Sequence, residues 1–129
     1  MKSISQKARA ILSRLIAGLD NPGDAKKLDN APGAYMALCV ECIAPWFYSL
    51  AHYGEQNGDA MRDPDIVIWV HPTSGDAYPC SYRNDYAGVD REYVEFEGGI
   101  PARVAARAQA DLASFCNTWL HNLAAQQGV

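Results

Sequence analysis

The fourteen residues from His52 to Asp65, HYGEQNGDAMRDPD, gather one histidine and four carboxylates: Glu55, Asp59, Asp63 and Asp65. Oxygen donors at this density suit a hard divalent cation, and a metal-dependent hydrolase or nuclease would use them together with His52 or His71. The spacing argues against that chemistry. A calcium loop of the EF type needs oxygen ligands at alternate positions, then a glycine and a distal glutamate, whereas Met61 and Arg62 stand where ligands belong. A two-motif nuclease needs a lysine on the following strand, and Lys2, Lys7, Lys26 and Lys27 all come earlier in the chain. No metal ligand is assigned. Asn57-Gly58 tolerates positive φ and reads as the turn of a hairpin, with the carboxylates forming its solvated surface and Arg62 partly neutralising them.

Other chemistry finds less support. Cys39-Val-Glu-Cys42 has the spacing of a zinc half-site or a redox pair, but on a strand residues three apart point to opposite faces. Neither Cys80 nor Cys116 supplies a second pair, so inert, partly buried thiols are expected. There is no serine or cysteine in a glycine-rich elbow, no phosphate loop and no dinucleotide fingerprint, so neither a catalytic residue nor a cofactor is assigned. Ser74-Gly75 reads as a hairpin turn.

What remains is a binding surface. Trp69 on a central strand and Arg83, Asp85 and Tyr86 in RNDY carry the residue types that anchor interfaces. With His52, Glu55, Asn57, Asp59, Arg62, Asp63 and Asp65 of the acidic hairpin they make up the candidate surface for a protein partner. A nucleic-acid reading would use Arg83, Arg91, Arg103 and Arg107 with neighbouring tyrosines, against the overall acidity of the chain.

These residues need elements to place them. Ile4, Ala8, Ile11, Leu12, Leu15, Ile16 and Leu19 recur at helical spacing, predicting an amphipathic helix over 3–19 with Ser3 as its cap. A polar linker follows to Gly33. From Tyr35 to Phe96, short apolar runs alternate with Gly, Pro, Asn and Asp, the pattern of an antiparallel meander. Five strands are read, near 35–43, 47–55, 65–71, 77–83 and 91–97, the first of which also reads as a short buried helix. Pro101 is placed in the first turn of a closing helix over 101–126, whose apolar stripe is Val104, Ala108, Leu112, Phe115, Trp119 and Leu123. The expected class is α+β: one domain over 1–129, with a five-stranded sheet covered on one face by the C-terminal helix.

The bulk numbers fit that picture. A chain of 129 residues, 49% apolar and 20% charged, suffices for one core. A net charge of −4 provides no field for phosphate backbones, so nucleic acid is not an expected partner. No apolar run approaches the roughly 20 residues of a membrane span, and Lys7, Arg9 and Arg14 interrupt the first helix, so a soluble cytoplasmic protein is expected. Uncovered sheet edges leave room for a homodimer.

The runs SLAHYGEQNGDAMRDPDIVIWV and AYPCSYRNDYAGVDREYVEF, with ADLASFCNTWLHNLAAQ, resemble an uncharacterised domain family of about this length. The resemblance covers about residues 34–127, with HYGEQNGDAMRDPD its most specific part. It implies a bacterial protein encoded on plasmids, integrative conjugative elements or phage-like regions of proteobacteria, with no assigned activity. The family pattern does not require Cys39 and Cys42. The expected function is a non-enzymatic, protein-binding accessory domain acting in a mobile element's dealings with host defence.

Overall fold

The computed structural model describes residues 1–129. Helix α1 spans Gln6–Ile16, and Ser5, not Ser3, caps it by accepting the Ala8 N–H at 3.2 Å. Ser3 does not cap because the residues before the helix are extended and pinned elsewhere. Ile4 N–H donates to the Ala77 carbonyl at 2.9 Å, and Lys2 is held at both its N–H and its C=O by Gln109.

Six strands form one antiparallel sheet in chain order: β1 (Ala25–Leu28), β2 (Leu38–Ala44), β3 (Phe47–Gln56), β4 (Asp59–Val70), β5 (Ala77–Asn84) and β6 (Val89–Glu92). The α+β class and the meander are as expected, and residues 38–44 are strand rather than helix. Strand β1 lies within the expected linker. Its AKKL has no alternating apolar pattern, and it earns its place by pairing with β2 from Ala25↔Glu41 to Leu28↔Leu38. Four residues with two lysines suit an edge strand.

The expected fifth strand divides at Tyr93. Beyond β6 the chain crosses to the other face of the sheet and forms a separate hairpin, β7 (Val94–Glu97) and β8 (Ile100–Val104). Gly98 and Gly99, both at positive φ, reverse the chain so that Pro101 pairs opposite Phe96. Pro101 is therefore in a strand, not in the first turn of a helix. A two-stranded hairpin has outer edges where a missing N–H breaks no ladder bond. Helix α2 starts later, at Ala106, and runs to Gln127, where Gly128 closes it in the left-handed conformation.

Parity divides the sheet into two faces. Leu38, Val40, Cys42, Leu50, Ile66, Ile68 and Val70 point to one side and meet Ile11, Leu12 and Leu15 of α1 with Leu112, Cys116, Leu120 and Leu123 of α2. Phe47, Trp69, Tyr78 and Cys80 point to the other side, where Val94 and Phe96 of the β7–β8 hairpin cover them. No helix is long and apolar enough to cross a membrane.

Two buried glutamines hold distant segments to the ends of α2. Gln109 accepts from Lys2 N–H at 2.7 Å and donates to the carbonyls of Lys2 at 2.8 Å and Pro79 at 3.1 Å. Gln127 accepts from Asn30 N–H at 2.8 Å and donates to the Met36 carbonyl at 3.3 Å. An apolar residue at either place would leave these backbone groups, part-buried or, for Pro79, buried, without their partner.

Candidate functional site: a clasped β-hairpin arm

The acidic stretch is not a loop. Strand β4 begins at Asp59, so HYGEQNGDAMRDPD forms most of a long β3–β4 hairpin paired as Tyr53↔Arg62, Gly54↔Met61, Glu55↔Ala60 and Gln56↔Asp59. Asn57 and Gly58 form its two-residue turn with φ of 53° and 84°, the positive values that favour this pair of residues. Beyond Leu38↔His52, β2 adds no further pairs, so the hairpin's last residues project from the sheet as an arm.

The RNDY loop clasps that arm. Asp85 N–H donates to the Arg62 carbonyl at 2.9 Å, and the Asp85 carboxylate accepts from Arg62 N–H at 2.8 Å and Arg62 Nε at 3.1 Å. Arg83 Nε reaches the other oxygen of the same carboxylate at 3.1 Å. The Arg62 backbone N–H, with the two guanidinium groups, holds the Asp85 carboxyl down to about 2. Tyr86 lies across Gly54, and its hydroxyl donates to the Glu55 carbonyl at 3.3 Å. A Cβ at Gly54 would run into the Tyr86 hydroxyl, with two ring carbons at 3.1 Å, so the tyrosine needs glycine beneath it.

The sequence-predicted residues thus separate into groups. Arg62, Arg83, Asp85 and Tyr86 meet in the clasp, while Glu55, Asn57 and Asp59 are exposed along the arm. Asp65 lies on the face opposite the helices and accepts from Ser49 Oγ at 2.6 Å. Asp63 instead accepts from Asn84 Nδ2 at 2.9 Å. The four carboxylates therefore do not converge, and no group of three His, Cys, Asp or Glu side chains is placed to hold a metal ion.

Two residues leave the expected surface. Trp69 is only 5% exposed, because the β7–β8 hairpin, whose existence the glycine pair alone hinted at, places Phe96 edge-on to it at 5.4 Å. His52 is 6% exposed, since the parity of β3 turns it toward α2, edge-on to Trp119 at 5.8 Å. Its Nε2 has no hydrogen-bond partner, and burial pushes its pKa down while Asp63 pulls it back up. His52 and His71 do not form a pair: His71 Nδ1 accepts the Thr73 and Ser74 amides of its own turn at 3.1 and 3.2 Å.

Exposed aromatic surface comes instead from Tyr53 on the arm and Tyr86 of the clasping loop, 45% and 47% exposed. Burial raises the Tyr53 hydroxyl, with Asp65 adding to the effect. Trp46, 47% exposed at φ 72°, occupies the β2–β3 turn. Sequence alternation gave no signal for it, since only the register of the turn decides which side chain protrudes.

The cysteines occupy the faces that strand parity dictates, Cys42 buried toward the helices and Cys39 half-buried on the other side. The two sulfurs therefore cannot share a metal through a simple C-x-x-C turn. Burial raises the Cys80 and Cys116 thiols to about 12, where the nucleophilic thiolate is scarce. Of the arginines of the nucleic-acid reading, Arg83 lies between Asp85 and Asp90, and Arg103 is the strand partner of Glu95.

No curated protein and no solved structure matches the chain. A family model does match, over residues 6–129, and so takes in helix α1 as well as the sheet and the arm. On that match, the chain belongs to the family described as Domain of unknown function (DUF6908).

Proposed function

We propose that this chain is a non-enzymatic accessory domain of a bacterial mobile genetic element, which binds a protein partner through its β3–β4 arm and so modulates host defence. The observation that carries the reading is the clasp. Three backbone and side-chain hydrogen bonds between Arg62 and Asp85 hold a projecting acidic hairpin in one conformation, with Tyr53 exposed on it and Tyr86 of the clasping loop exposed against it. Pre-ordering lowers the entropic cost of docking, and tyrosine supplies contact area with few rotatable bonds. Glu55 and Asp59 give the arm a negative rim, which suits a partner with a basic surface. The mobile-element setting rests on the resemblance of HYGEQNGDAMRDPD and its flanks.

The test is site-specific photocrosslinking in the host bacterium, with the crosslinker at position 53 or 60 on the arm and, as a control, at the exposed position 122 on α2. The expected result is one protein adduct from the arm positions, absent from the control and lost when Asp85→Ala opens the clasp. Adducts of equal yield from arm and control positions, or none from the arm, would overturn the proposal.

A further inference from the structure

A concave feature lies between α2 and β5, on the helix side of the sheet. It is a cavity of about 320 Å³ lined by Tyr82, Tyr93, Phe115, Asp111, Leu112 and Ala108. Ala108, Asp111, Leu112 and Phe115 follow the i, i+3, i+4, i+7 spacing and share one face of α2. Tyr82 comes from β5, and Tyr93 from the crossing between β6 and β7.

The rings are arranged as walls. Tyr82 and Phe115 stand at 89° with centroids 6.2 Å apart, so one presents its edge where the other presents its face. Trp119 backs Phe115 from the next turn, stacked at 6.2 Å and 23°. Asn84 Nδ2 approaches the Tyr82 hydroxyl at 3.5 Å. Phe115 nonetheless remains 42% exposed, a large aromatic surface left open on a helix whose neighbouring Leu112, Trp119 and Leu123 are buried.

Asp111 is the one charged residue of the lining, and no basic side chain lies within ion-pair distance of it. Three aromatic side chains and an unpaired carboxylate are all attractive to a positive charge. The apolar Leu112 and Ala108 between them disfavour a strongly hydrated ammonium, which would have to shed its water there. A cation clothed in methyl groups meets both conditions, because it is weakly hydrated and fills apolar space. We propose that this cavity is a binding site for an alkylated ammonium group, with Tyr82, Tyr93 and Phe115 as the cage and Asp111 as its counter-charge.

The group can be carried by a free molecule or by a methylated lysine side chain, and a titration separates the two. Isotope-labelled protein is titrated with choline, with its neutral isostere 3,3-dimethyl-1-butanol, and with a short peptide holding trimethyl-lysine or unmodified lysine. The proposal expects saturable amide shifts around residues 108–115 and at Tyr82 and Tyr93 with choline or the trimethylated peptide, and none with the isostere. The tighter of the two ligands identifies the source. Phe115→Leu and Asp111→Asn should each weaken binding by on the order of tenfold, and Phe115→Tyr should retain it. Both positions are exposed, so the variants should keep the wild-type circular dichroism spectrum. Equal binding of choline and the neutral isostere would make the cavity merely apolar and overturn the proposal. So would the absence of saturable shifts with both cationic ligands.

Discussion

Arg62 and Asp85 lie 23 residues apart and are joined by a reciprocal pair of backbone-anchored hydrogen bonds, with a charged contact from the guanidinium as a third. Arg62 sits where β4 emerges from the sheet, and Asp85 opens the β5–β6 loop. The pair thus decides whether residues 53–62 form a fixed ledge or a loose ribbon, since an isolated two-stranded hairpin is marginal in water.

Asp85→Ala should therefore free the arm without unfolding the sheet. The expected result is rapid hydrogen exchange at the Arg62 amide and loss of protection at Gly54 and Met61, with Ile66 and Ile68 still protected. In the wild type the clasp should resist acid. A carboxyl depressed to about 2 contributes fully above its ordinary value near 3.8 and loses that contribution progressively as pH falls from there through about 2. Arg62 amide protection that disappeared at pH 4 would contradict this assignment.

Gly54→Ala should displace Tyr86 from the arm, because the new methyl group meets the tyrosine ring. A loss of about 1 kcal/mol is expected, at the lower end for overpacking since the ring can swing into solvent. In the double variant Gly54→Ala/Tyr86→Ala the two effects should fall short of additivity, as a denaturation cycle would show.

His52 makes stability depend on pH. Its folded pKa lies below the ordinary 6.5, so the folded state disfavours protonation relative to the unfolded chain. The resulting stability is fully present above 6.5 and declines as pH falls through that value toward the folded one. Urea midpoints should drop between pH 7 and pH 5.5, and His52→Leu should flatten the dependence over that interval by removing the unpartnered Nε2.

Gln109→Leu tests the strap on the N-terminal segment. It is nearly isosteric but leaves Lys2 N–H, Lys2 C=O and Pro79 C=O without their partner. A cost of about 1–3 kcal/mol in chemical denaturation is expected, together with proteolytic sensitivity ahead of α1.

Gly58→Val should weaken the arm through its backbone. The position holds φ of 84° with open space around it, so conformation rather than a clash carries the cost, about 1–3 kcal/mol. Gly58→Asn should cost less, because asparagine tolerates the left-handed region, and comparing the two variants separates backbone strain from loss of flexibility.

The sequence by itself determined the local features. The apolar spacing of α1 and α2, the dense β-branched run of β4, the Asn57-Gly58 turn and the opposite faces of Cys39 and Cys42 all follow from periods of 3.6 and 2 and from the conformations glycine and asparagine permit. Tertiary structure decided what depends on pairing between distant segments. AKKL became a strand because the edge of β2 was there to receive it, and PARV became a strand because Gly98-Gly99 turned it back on β7. Trp69 was buried by that same hairpin, and His52 by the register that set β3 against α2. The carboxylates of HYGEQNGDAMRDPD, close in sequence, were parted: Glu55 and Asp59 lie exposed on the arm, Asp65 meets Ser49 and Asp63 meets Asn84, because the β3–β4 register shifts between Ala51 and Tyr53 and so breaks the simple alternation that would have set Asp63 and Asp65 on one side. The clasp itself needed Asp85, whose place beside Arg62 depends on β5 lying next to β4, a long-range relation that no local period encodes.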